Sequence, residues 1–214
     1  MKAIIIGASG LIGKKLLSLI ENDNYFDIIE VWARKPLKTN NHKTVVKIID
    51  FNQFPDMTDT NAVFCCIGTT IKKAGSQEAF RKVDFDIPVS IAEQCQKSKV
   101  EKLFVISSLG ANQASGNNYL KTKGEMEIAL TLFNIPTIII LRPSMLLGKR
   151  EEFRFGELIG KFIIQFIGFF LLGKMKKYRG IQALTVAHSM LNIAKKSNTG
   201  ITILESDKIE NLGR

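Results

Sequence analysis

The sequence is poor in the residues that most often build disulfides and metal centres. It has three cysteines and two histidines in 214 residues. The cysteines, Cys65, Cys66 and Cys95, are odd in number and show no metal-ligand spacing, so neither a disulfide framework nor a bound metal is expected. We expect buried, reduced thiols and a cytoplasmic location. His42 and His188 support no catalytic role, because one lies in a polar loop and the other in a predicted helix.

Long uninterrupted apolar runs are also lacking. The most apolar segment, Phe162 to Leu172, is interrupted by Gln165 and is too short to cross a bilayer. It predicts a buried helix or the wall of a substrate pocket. A self-association surface and a weak membrane-surface contact are open alternatives, and nearby lysines favour the second. Gly7 and Gly10 break the first apolar run, so no signal peptide is expected.

The charge is strongly positive but not concentrated. The formal net charge is +10, from 30 Lys and Arg against 20 Asp and Glu. Such a balance suits nucleic acid, an anionic membrane surface, or an anionic cofactor and substrate. The lysines are dispersed and no nucleic-acid motif is present, so we do not expect a nucleic-acid partner. No repeat, low-complexity run or linker divides the chain, and residues 1–214 are expected to form one domain.

A glycine-rich turn follows the first apolar run. Ala3–Ile6 predicts a buried parallel strand, and a helical spacing of apolar residues begins at Leu11. Between and within these elements stand Gly7, Gly10 and Gly13. In a dinucleotide-binding turn, the first glycine permits a tight bend, the second lets a pyrophosphate approach, and the third lets the helix pack on the strand. The free N–H groups of the helix then attract the phosphates.

Strands and helices alternate along the rest of the chain. Further strands are predicted at Ile28–Ala33, Thr44–Ile49, Ala62–Cys66, Lys102–Ile106 and Thr137–Leu141, with a candidate seventh at Ile201–Leu204. Helices are predicted over Ser76–Val83, from an Asp86 N-cap to about Ser98, over Asn118–Phe133, and from Thr185 to Lys196. The alternation predicts an α/β fold with a doubly wound parallel sheet of order 3-2-1-4-5-6 and a ligand at its switch point.

A Tyr-x-x-x-Lys pair begins the helix after strand five. Its members, Tyr119 and Lys123, lie on one helix face at this spacing. A phenol with a pKa of about 10 is a poor acid or base at neutral pH, and a nearby ammonium favours its ionised form. Lys123 could also hold a nicotinamide ribose. Ser107 and Ser108 end strand five, where a hydroxyl is needed to bind the substrate oxygen. The alternative is a tyrosine and a lysine on a solvated face.

The choice of cofactor depends on the end of strand two. An NAD enzyme carries Asp or Glu there to bind the ribose 2′-hydroxyl, but this chain has Arg34 and Lys35. Two cations suit a 2′-phosphate, so NADP(H) is favoured and NAD(H) is the alternative. Arg34 could instead stack on adenine, or both could be ordinary loop cations. The predicted cofactor-binding residues are Gly7, Ser9, Gly10, Leu11, Ile12, Gly13, Arg34, Lys35, Asp50, Phe51, Cys66, Ile67, Gly68, Thr69, Tyr119, Lys123 and Pro143.

Several motifs in order carry a family resemblance over essentially the whole chain. They are Cys65–Thr70, Val83–Asp86, Ser107–Asn112, Tyr119–Gly124, Leu141–Pro143, Gly148–Glu151, Leu204–Glu205 and Ile209–Gly213. Together with the G-x-x-G-x-x-G spacing, they resemble the Tat-interacting-protein oxidoreductase family of atypical short-chain dehydrogenases. The resemblance implies an NADPH-binding Rossmann fold and a small C-terminal substrate lobe, for which residues 144–185 are expected to supply most of the chain. It implies no particular substrate.

The leading hypothesis is an NADP(H)-dependent oxidoreductase acting on a small carbonyl or alcohol. Tyr119 would transfer the proton, Lys123 would assist it, and Ser108 would polarise the carbonyl. Sugar-epimerase relatives place their hydroxyl residue at the position of Leu109, so the role requires Ser108 or, less favourably, Ser107. A nucleotide-occupied sensor or scaffold without turnover is one alternative. A nucleotide-sugar epimerase or dehydratase is another, disfavoured by the short stretch after strand six. A homo-oligomer is compatible with every alternative.

Overall fold

The computed structural model describes residues 1–147, 173–197 and 199–213. The apolar segment Phe162–Leu172 and the motif Gly148–Glu151 therefore lie outside the described residues. Most of the expected lobe over residues 144–185 lies outside them as well.

Seven parallel strands form the main sheet. The strands along the chain are β1 Lys2–Ile6, β2 Ile28–Ala33, β3 Thr44–Ile48, β4 Ala62–Cys65, β5 Lys102–Ile106, β6 Thr137–Arg142, β7 Leu146–Leu147, β8 Ile181–Gln182 and β9 Gly200–Glu205. The main sheet has the order β3-β2-β1-β4-β5-β6-β9, and β7 pairs separately with β8. This order confirms the predicted 3-2-1-4-5-6 arrangement, and the candidate seventh strand is its last member.

Helices connect the strands. They are α1 Leu11–Glu21, α2 Ile71–Ala74, α3 Gln77–Arg81, a π-helical turn Lys82–Asp86, α4 Ile87–Lys97, α5 Asn118–Leu130, a 3₁₀ segment Gly173–Tyr178, α6 Ala183–Ala194 and α7 Ser206–Leu212. Within the described ranges, none of these helices is both long and apolar enough to span a membrane.

Two helix starts differ from the prediction. Asp86 is not an N-cap, because its backbone is helical (φ −63°, ψ −45°) and its side chain makes no capping hydrogen bond. The π-helical turn joins α3 to α4, so the chain has no free helix end for Asp86 to cap. Thr185 does not begin α6 either, because the helix starts at the buried Ala183 with Gln182 in the N-cap position. Burial of the first turn decides this boundary.

The sheet is covered by apolar clusters on both faces. Side chains alternate along β1, so Ile5 joins one cluster and Ile4 joins the other. Leu16 of α1 and Met190 of α6 belong to the first cluster, whereas Ile91 of α4 belongs to the second. Because both faces are occupied by helices, the carboxyl edge of the sheet is the natural place for a ligand.

Gly124 sets how closely α5 approaches the chain that follows β5. A Cβ atom on Gly124 would lie 2.3 Å from the carbonyl carbon of Asn112 and 2.3 Å from the amide nitrogen of Gln113. Helix α5 carries both Tyr119 and Lys123, so this close packing positions the predicted catalytic pair against the sheet.

We expect Gly124→Ala to destabilise the protein by about 1–3 kcal/mol, because the helix and the backbone beside it must separate. Urea unfolding followed by the fluorescence of Trp32, the one tryptophan of the sequence, measures the loss. Gly116→Ala is the matched control, since a Cβ at Gly116 meets no atom of the described residues within 4 Å. Equal losses at the two glycines would contradict this account of the packing.

Candidate active site

A pocket of about 500 Å³ opens at the carboxyl ends of β1, β4, β5 and β6. It lies where the strand order reverses between β1 and β4, the position at which doubly wound sheets bind ligands. The predicted site residues that line it are Gly10, Leu11, Ile12, Cys66, Ile67, Gly68, Thr69, Ser108, Tyr119, Lys123 and Pro143. The pocket therefore brings the predicted catalytic set together with much of the predicted cofactor set.

The remaining predicted residues lie outside the pocket wall. Gly7, Ser9 and Gly13 belong to the turn that leads into α1, Arg34 and Lys35 follow β2, and Asp50 and Phe51 follow β3. Because β1, β2 and β3 are parallel neighbours, all of these residues lie along one edge of the sheet. An elongated ligand that extends from the pocket toward β3 would reach the residues after β2 and β3, which are Arg34, Lys35, Asp50 and Phe51.

The glycine turn is shaped by close backbone contacts. Gly7 has φ +91°, and a Cβ there would lie 2.8 Å from the carbonyl carbon of Cys66. A Cβ on Gly13 would lie 2.2 Å from the Gly7 carbonyl oxygen. Side chains are thus excluded at both positions by the backbone itself. The predicted roles of Gly7 in the bend and of Gly13 in helix packing fit this geometry.

Gly10 stands at the N-terminus of α1 beside the pocket. Its N–H donates to the Gly7 carbonyl oxygen at 2.9 Å. In the described part of the chain, no side chain caps this helix end, and Leu11 and Ile12 join Gly10 in the pocket wall. Uncapped N–H groups next to a residue without Cβ give an anion both donors and space. The turn therefore fits a dinucleotide pyrophosphate.

Tyr119 is held in the first turn of α5. The side chain of Asn117 caps this helix and accepts the N–H groups of Tyr119 at 2.9 Å and Leu120 at 3.2 Å. The Tyr119 ring lies 5.3 Å from the ring of Phe80, centroid to centroid. The cap and the aromatic contact fix the direction of the side chain, which is half-buried in the pocket wall.

Lys123 is buried one turn further along α5. Its side chain is 2% exposed, and Nζ lies 2.8 Å from Oδ1 of Asp84 and donates to the Ile106 carbonyl oxygen at 3.0 Å. Burial alone would lower the pKa of Lys123, but the Asp84 carboxylate and Tyr119 act in the opposite direction, and the pKa is raised above its ordinary value. Lys123 is a cation at neutral pH and is not a solvated surface lysine.

Asp84 is a pocket residue that the sequence analysis did not assign to the site. It lies in the π-helical turn and lines the pocket. Phe80, Asp84 and Pro88 recur at four-residue spacing and all three are buried. The four-residue spacing from Phe80 and Pro88, and the place of Asp84 in the motif Val83–Asp86, are the signals that could have found it, because buried carboxylates need a partner.

The two serines after β5 have different surroundings. Ser107 donates to the carboxylate of Glu127, which also accepts the Arg142 Nε–H at 2.9 and 3.1 Å. Among the described residues, the Ser108 hydroxyl makes only a long 3.4 Å contact with the carbonyl of Leu109. The Ser107 hydroxyl is therefore committed to a buried ion pair, and Ser108 is the better placed of the two for a ligand.

Cys65 and Cys95 are buried thiols, and Cys66 is partly buried. All three are free. Burial raises the pKa of Cys65 to about 11 and raises that of Cys66, which lines the pocket. Both thiols are protonated at neutral pH and are poor nucleophiles.

The doubly wound parallel sheet, with a glycine turn at its switch point and a serine, a tyrosine and a lysine around one pocket, defines a Rossmann fold of the atypical short-chain dehydrogenase class. The model of the HIM1 family matches residues 26–162, and the chain belongs to this family.

Curated relatives agree with this assignment. The chain is 34% identical over 157 residues to protein FMP52 of Debaryomyces hansenii, covering 71% of this chain and 70% of the relative. It is 30% identical over 218 residues to protein HTATIP2 of Rattus norvegicus, covering 98% of this chain and 88% of the relative. The resemblance to the Tat-interacting-protein family is thereby confirmed.

Solved structures share the fold at low sequence identity. MoeE5 in complex with UDP-glucuronic acid and NAD has a TM-score of 0.72 at 16% identity, covering 95% of this chain and 75% of that protein. The human epimerase family protein SDR39U1 with NADPH has a TM-score of 0.61 at 14% identity, covering 96% of this chain and 74% of that protein. These likenesses establish the fold.

The expected cytoplasmic location is contradicted by the comparison. The relatives from Debaryomyces hansenii, Scheffersomyces stipitis and Candida albicans are all named as mitochondrial proteins. Reduced cysteines could not have indicated the location named for these relatives, because they indicate only that no disulfide has formed and do not identify a compartment.

Proposed function

We propose that this protein is an NADP(H)-dependent oxidoreductase that acts on a small carbonyl or alcohol. The observation that carries the proposal is the convergence of Ser108, Tyr119 and Lys123 on the same pocket as the N-terminus of α1. The N-terminus of α1 lies far along the chain from residues 108–123, and a shared pocket is what a cofactor and a substrate need in order to react.

Each side chain has a distinct role in the proposed reaction. Tyr119 donates a proton to the substrate oxygen in reduction, and Ser108 donates a hydrogen bond to the same oxygen. The buried ammonium of Lys123 lies on the same face of α5 as Tyr119 and stabilises the phenolate that proton transfer leaves. A bound nicotinamide supplies or accepts the hydride.

Binding of a nicotinamide dinucleotide is supported by the glycine turn and by the fold. The uncapped N-terminus of α1 fits the pyrophosphate, and Gly68 lines the pocket where the adenosine ribose is proposed to pass. Proteins that share the fold carry NAD or NADPH in their structures. Asp50 and Phe51 are proposed to contact the adenine edge.

The substrate side of the pocket is proposed to be formed by the chain after β6. Met145, Leu146 and Tyr178 line the pocket there, which supports a small lobe built mainly from residues 144–185. Their largely apolar side chains favour a small substrate with an apolar body and one polar carbonyl or hydroxyl group.

Preference for NADP(H) is proposed from the surroundings of β2. Arg34 and Lys35 are exposed directly after the strand. Glu30, the carboxylate within β2, is buried and contacts Lys2 at 3.1 Å and Lys47 at 2.9 Å. Glu30 is thus committed to structural ion pairs, whereas the two exposed cations can approach a 2′-phosphate.

We expect the double variant Arg34→Ala with Lys35→Ala to weaken NADPH binding by roughly tenfold to hundredfold, because charge-assisted contacts to the 2′-phosphate are lost. NADH binding should change little, and the NADPH effect should shrink at high salt, since the contacts are partly exposed. Calorimetric titration with both nucleotides measures this. Equal losses for both would mean that Arg34 stacks on adenine, and a wild-type preference for NADH would refute the assignment.

A nucleotide-binding sensor without turnover is the second candidate, and one observation favours it. The Lys123 ammonium is paired with the Asp84 carboxylate. It therefore stabilises a Tyr119 phenolate less than an unpaired ammonium would. Tight NADPH binding without turnover of any member of a broad aldehyde and ketone panel would place this candidate first. The nucleotide-sugar alternative is supported by likeness of fold alone.

A further inference from the structure

We infer that Asp84 is a positioning residue, which holds the Lys123 ammonium and the loop after β4 in one arrangement and keeps Lys123 charged inside the protein. The role of Asp84 in keeping Lys123 charged is inferred from the geometry and burial of the Asp84–Lys123 ion pair. The consequence for the cofactor rests on the proposed function.

The carboxylate of Asp84 binds two different parts of the pocket wall. Oδ1 lies 2.8 Å from Lys123 Nζ, and Oδ2 accepts the N–H of Thr69 at 2.8 Å. The side chains of the ion pair are 1% and 2% exposed. One buried group therefore ties helix α5 to the loop that is proposed to pass along the cofactor.

The π-helical turn places this carboxylate. Helices α3 and α4 are joined by Lys82–Asp86, a turn in which an extra residue is inserted into the helical repeat. Single π-helical turns cost hydrogen-bond geometry and occur often at functional sites. Here the turn carries Asp84 to the pocket while α4 continues along the sheet with Ile91 in the core.

The position of Lys123 Nζ leaves N–H donors for a ligand in the pocket. An ammonium has three N–H groups; one donates to the Ile106 carbonyl oxygen, and Oδ1 of Asp84 lies 2.8 Å from Nζ as its ion-pair partner. Lys123 also lines the pocket. Because the two contacts fix the position of Nζ, a remaining N–H can donate to a hydroxyl group of a bound ligand, such as a ribose.

The charge of Lys123 depends on Asp84. The groups that interact electrostatically with the ammonium are Asp84 from the π-helical turn, Tyr119 from α5 and Cys65 from β4. Burial raises the pKa of Cys65 to about 11, so this thiol is neutral at physiological pH. Asp84 is the one carboxylate among the three. Without it, burial is the dominant influence on Lys123, and burial favours the neutral amine.

The test is the pH dependence of unfolding in Asp84→Asn, which keeps the size of the side chain and an acceptor for Thr69. In the variant, the folded-state pKa of Lys123 should fall below the unfolded value of about 10.4. At a pH between these two pKa values, the unfolded chain binds more protons than the folded chain. The free energy of unfolding therefore rises with pH in that window. In the wild type, Lys123 remains protonated in both states there and contributes no slope.

We expect the unfolding constant of Asp84→Asn, relative to wild type, to fall by up to about tenfold per pH unit between about pH 7 and about pH 9.5. Urea titrations followed by Trp32 fluorescence give the constants. If the ratio of the Asp84→Asn unfolding constant to the wild-type constant does not change with pH, the inference is overturned, because a purely structural defect destabilises the protein equally at each pH.

Two further variants make the test specific. Asp84→Asn combined with Lys123→Met should abolish the slope and be more stable than Asp84→Asn alone, since no unpaired charge remains buried. The comparison of the double variant with Asp84→Asn also tests the inference if Asp84→Asn fails to fold at neutral pH, because the double variant should be the more stable of the two. Glu127→Gln removes another buried carboxylate, but its partner Arg142 cannot lose its proton, so no slope is expected. A double variant no more stable than Asp84→Asn would refute the pairing.

The positioning role is tested by NADPH binding across the same pH range. Wild-type affinity should be constant, whereas Asp84→Asn should bind about tenfold more weakly at the alkaline end, as Lys123 loses its proton. Constant affinity in the variant would show that Lys123 does not contact the cofactor and would overturn this role. If the wild type binds no NADPH, the proposed function fails, and the unfolding series still decides whether Asp84 keeps Lys123 charged.

Discussion

Gly10→Asp is expected to abolish binding of a nicotinamide dinucleotide, with a loss of about 10²-fold or more in affinity. Gly10 lines the pocket at the uncapped N-terminus of α1. Aspartate is a favoured N-cap residue, so its carboxylate would accept the free N–H groups that the pyrophosphate needs. It would also place a negative charge against the phosphates, and such like-charge contacts cost several kcal/mol.

The same capping effect keeps this experiment interpretable. A Cβ on Gly10 would lie 3.1 Å from the Gly7 carbonyl oxygen, which is tight, but the new cap compensates for it and the variant should fold. Gly116→Asp is the matched control, because it adds the same charge at an exposed glycine with no atom of the described residues within 4 Å of its Cβ. Calorimetric titration with NADPH compares the two variants. Unchanged affinity in folded Gly10→Asp would refute the dinucleotide site.

Tyr119→Phe is expected to lower kcat by about 10²-fold or more while NADPH affinity changes little. The substitution removes only the hydroxyl, which is the proposed proton donor, and this is the usual magnitude for the loss of a general acid. The ring remains packed against Phe80 and the Asn117 cap is retained, because both contacts are independent of the hydroxyl. The measurement is NADPH oxidation with the best carbonyl substrate found in a panel of aldehydes and ketones.

Tyr25→Phe provides the control for the tyrosine experiment. Tyr25 packs edge-on against Phe26 on the α1 side of the sheet and does not line the pocket. Its replacement should leave both kcat and KM unchanged. Equal activity in Tyr119→Phe and wild type would remove Tyr119 from the mechanism. A large rise in KM with an unchanged kcat would make it a residue that binds substrate without transferring the proton.

Much of the fold could be predicted because its signals are local. The run Ala3–Ile6 is apolar at every position, as expected for a strand covered on both faces, and it forms the last four residues of β1. Two of the three glycines that follow, Gly7 and Gly13, stand where a Cβ atom would lie only 2.8 Å and 2.2 Å from backbone atoms. The alternation of strands and helices predicts a doubly wound parallel sheet, and the glycine turn after β1 predicts the dinucleotide-binding order 3-2-1-4-5-6.

Helix ends were less predictable, because burial competes with local capping preferences. Asp86 and Thr185 are both residue types that favour an N-cap. Neither begins a helix, since the π-helical turn continues through Asp86 and α6 buries Ala183 two residues before Thr185. Capping contributes about 1 kcal/mol, which the burial of apolar side chains readily exceeds.

The sequence by itself determined the doubly wound sheet, the glycine turn and the candidate residues Ser108, Tyr119 and Lys123, since spacing along one strand or helix is a local property. Only the tertiary structure decided that Ser107 is committed to Glu127 and that Lys123 is paired with Asp84. Asp84 reaches Lys123 through a π-helical turn and the packing of α5 on the sheet. Contacts between elements so far apart in the chain depend on how closely those elements pack, and no local pattern encodes that distance.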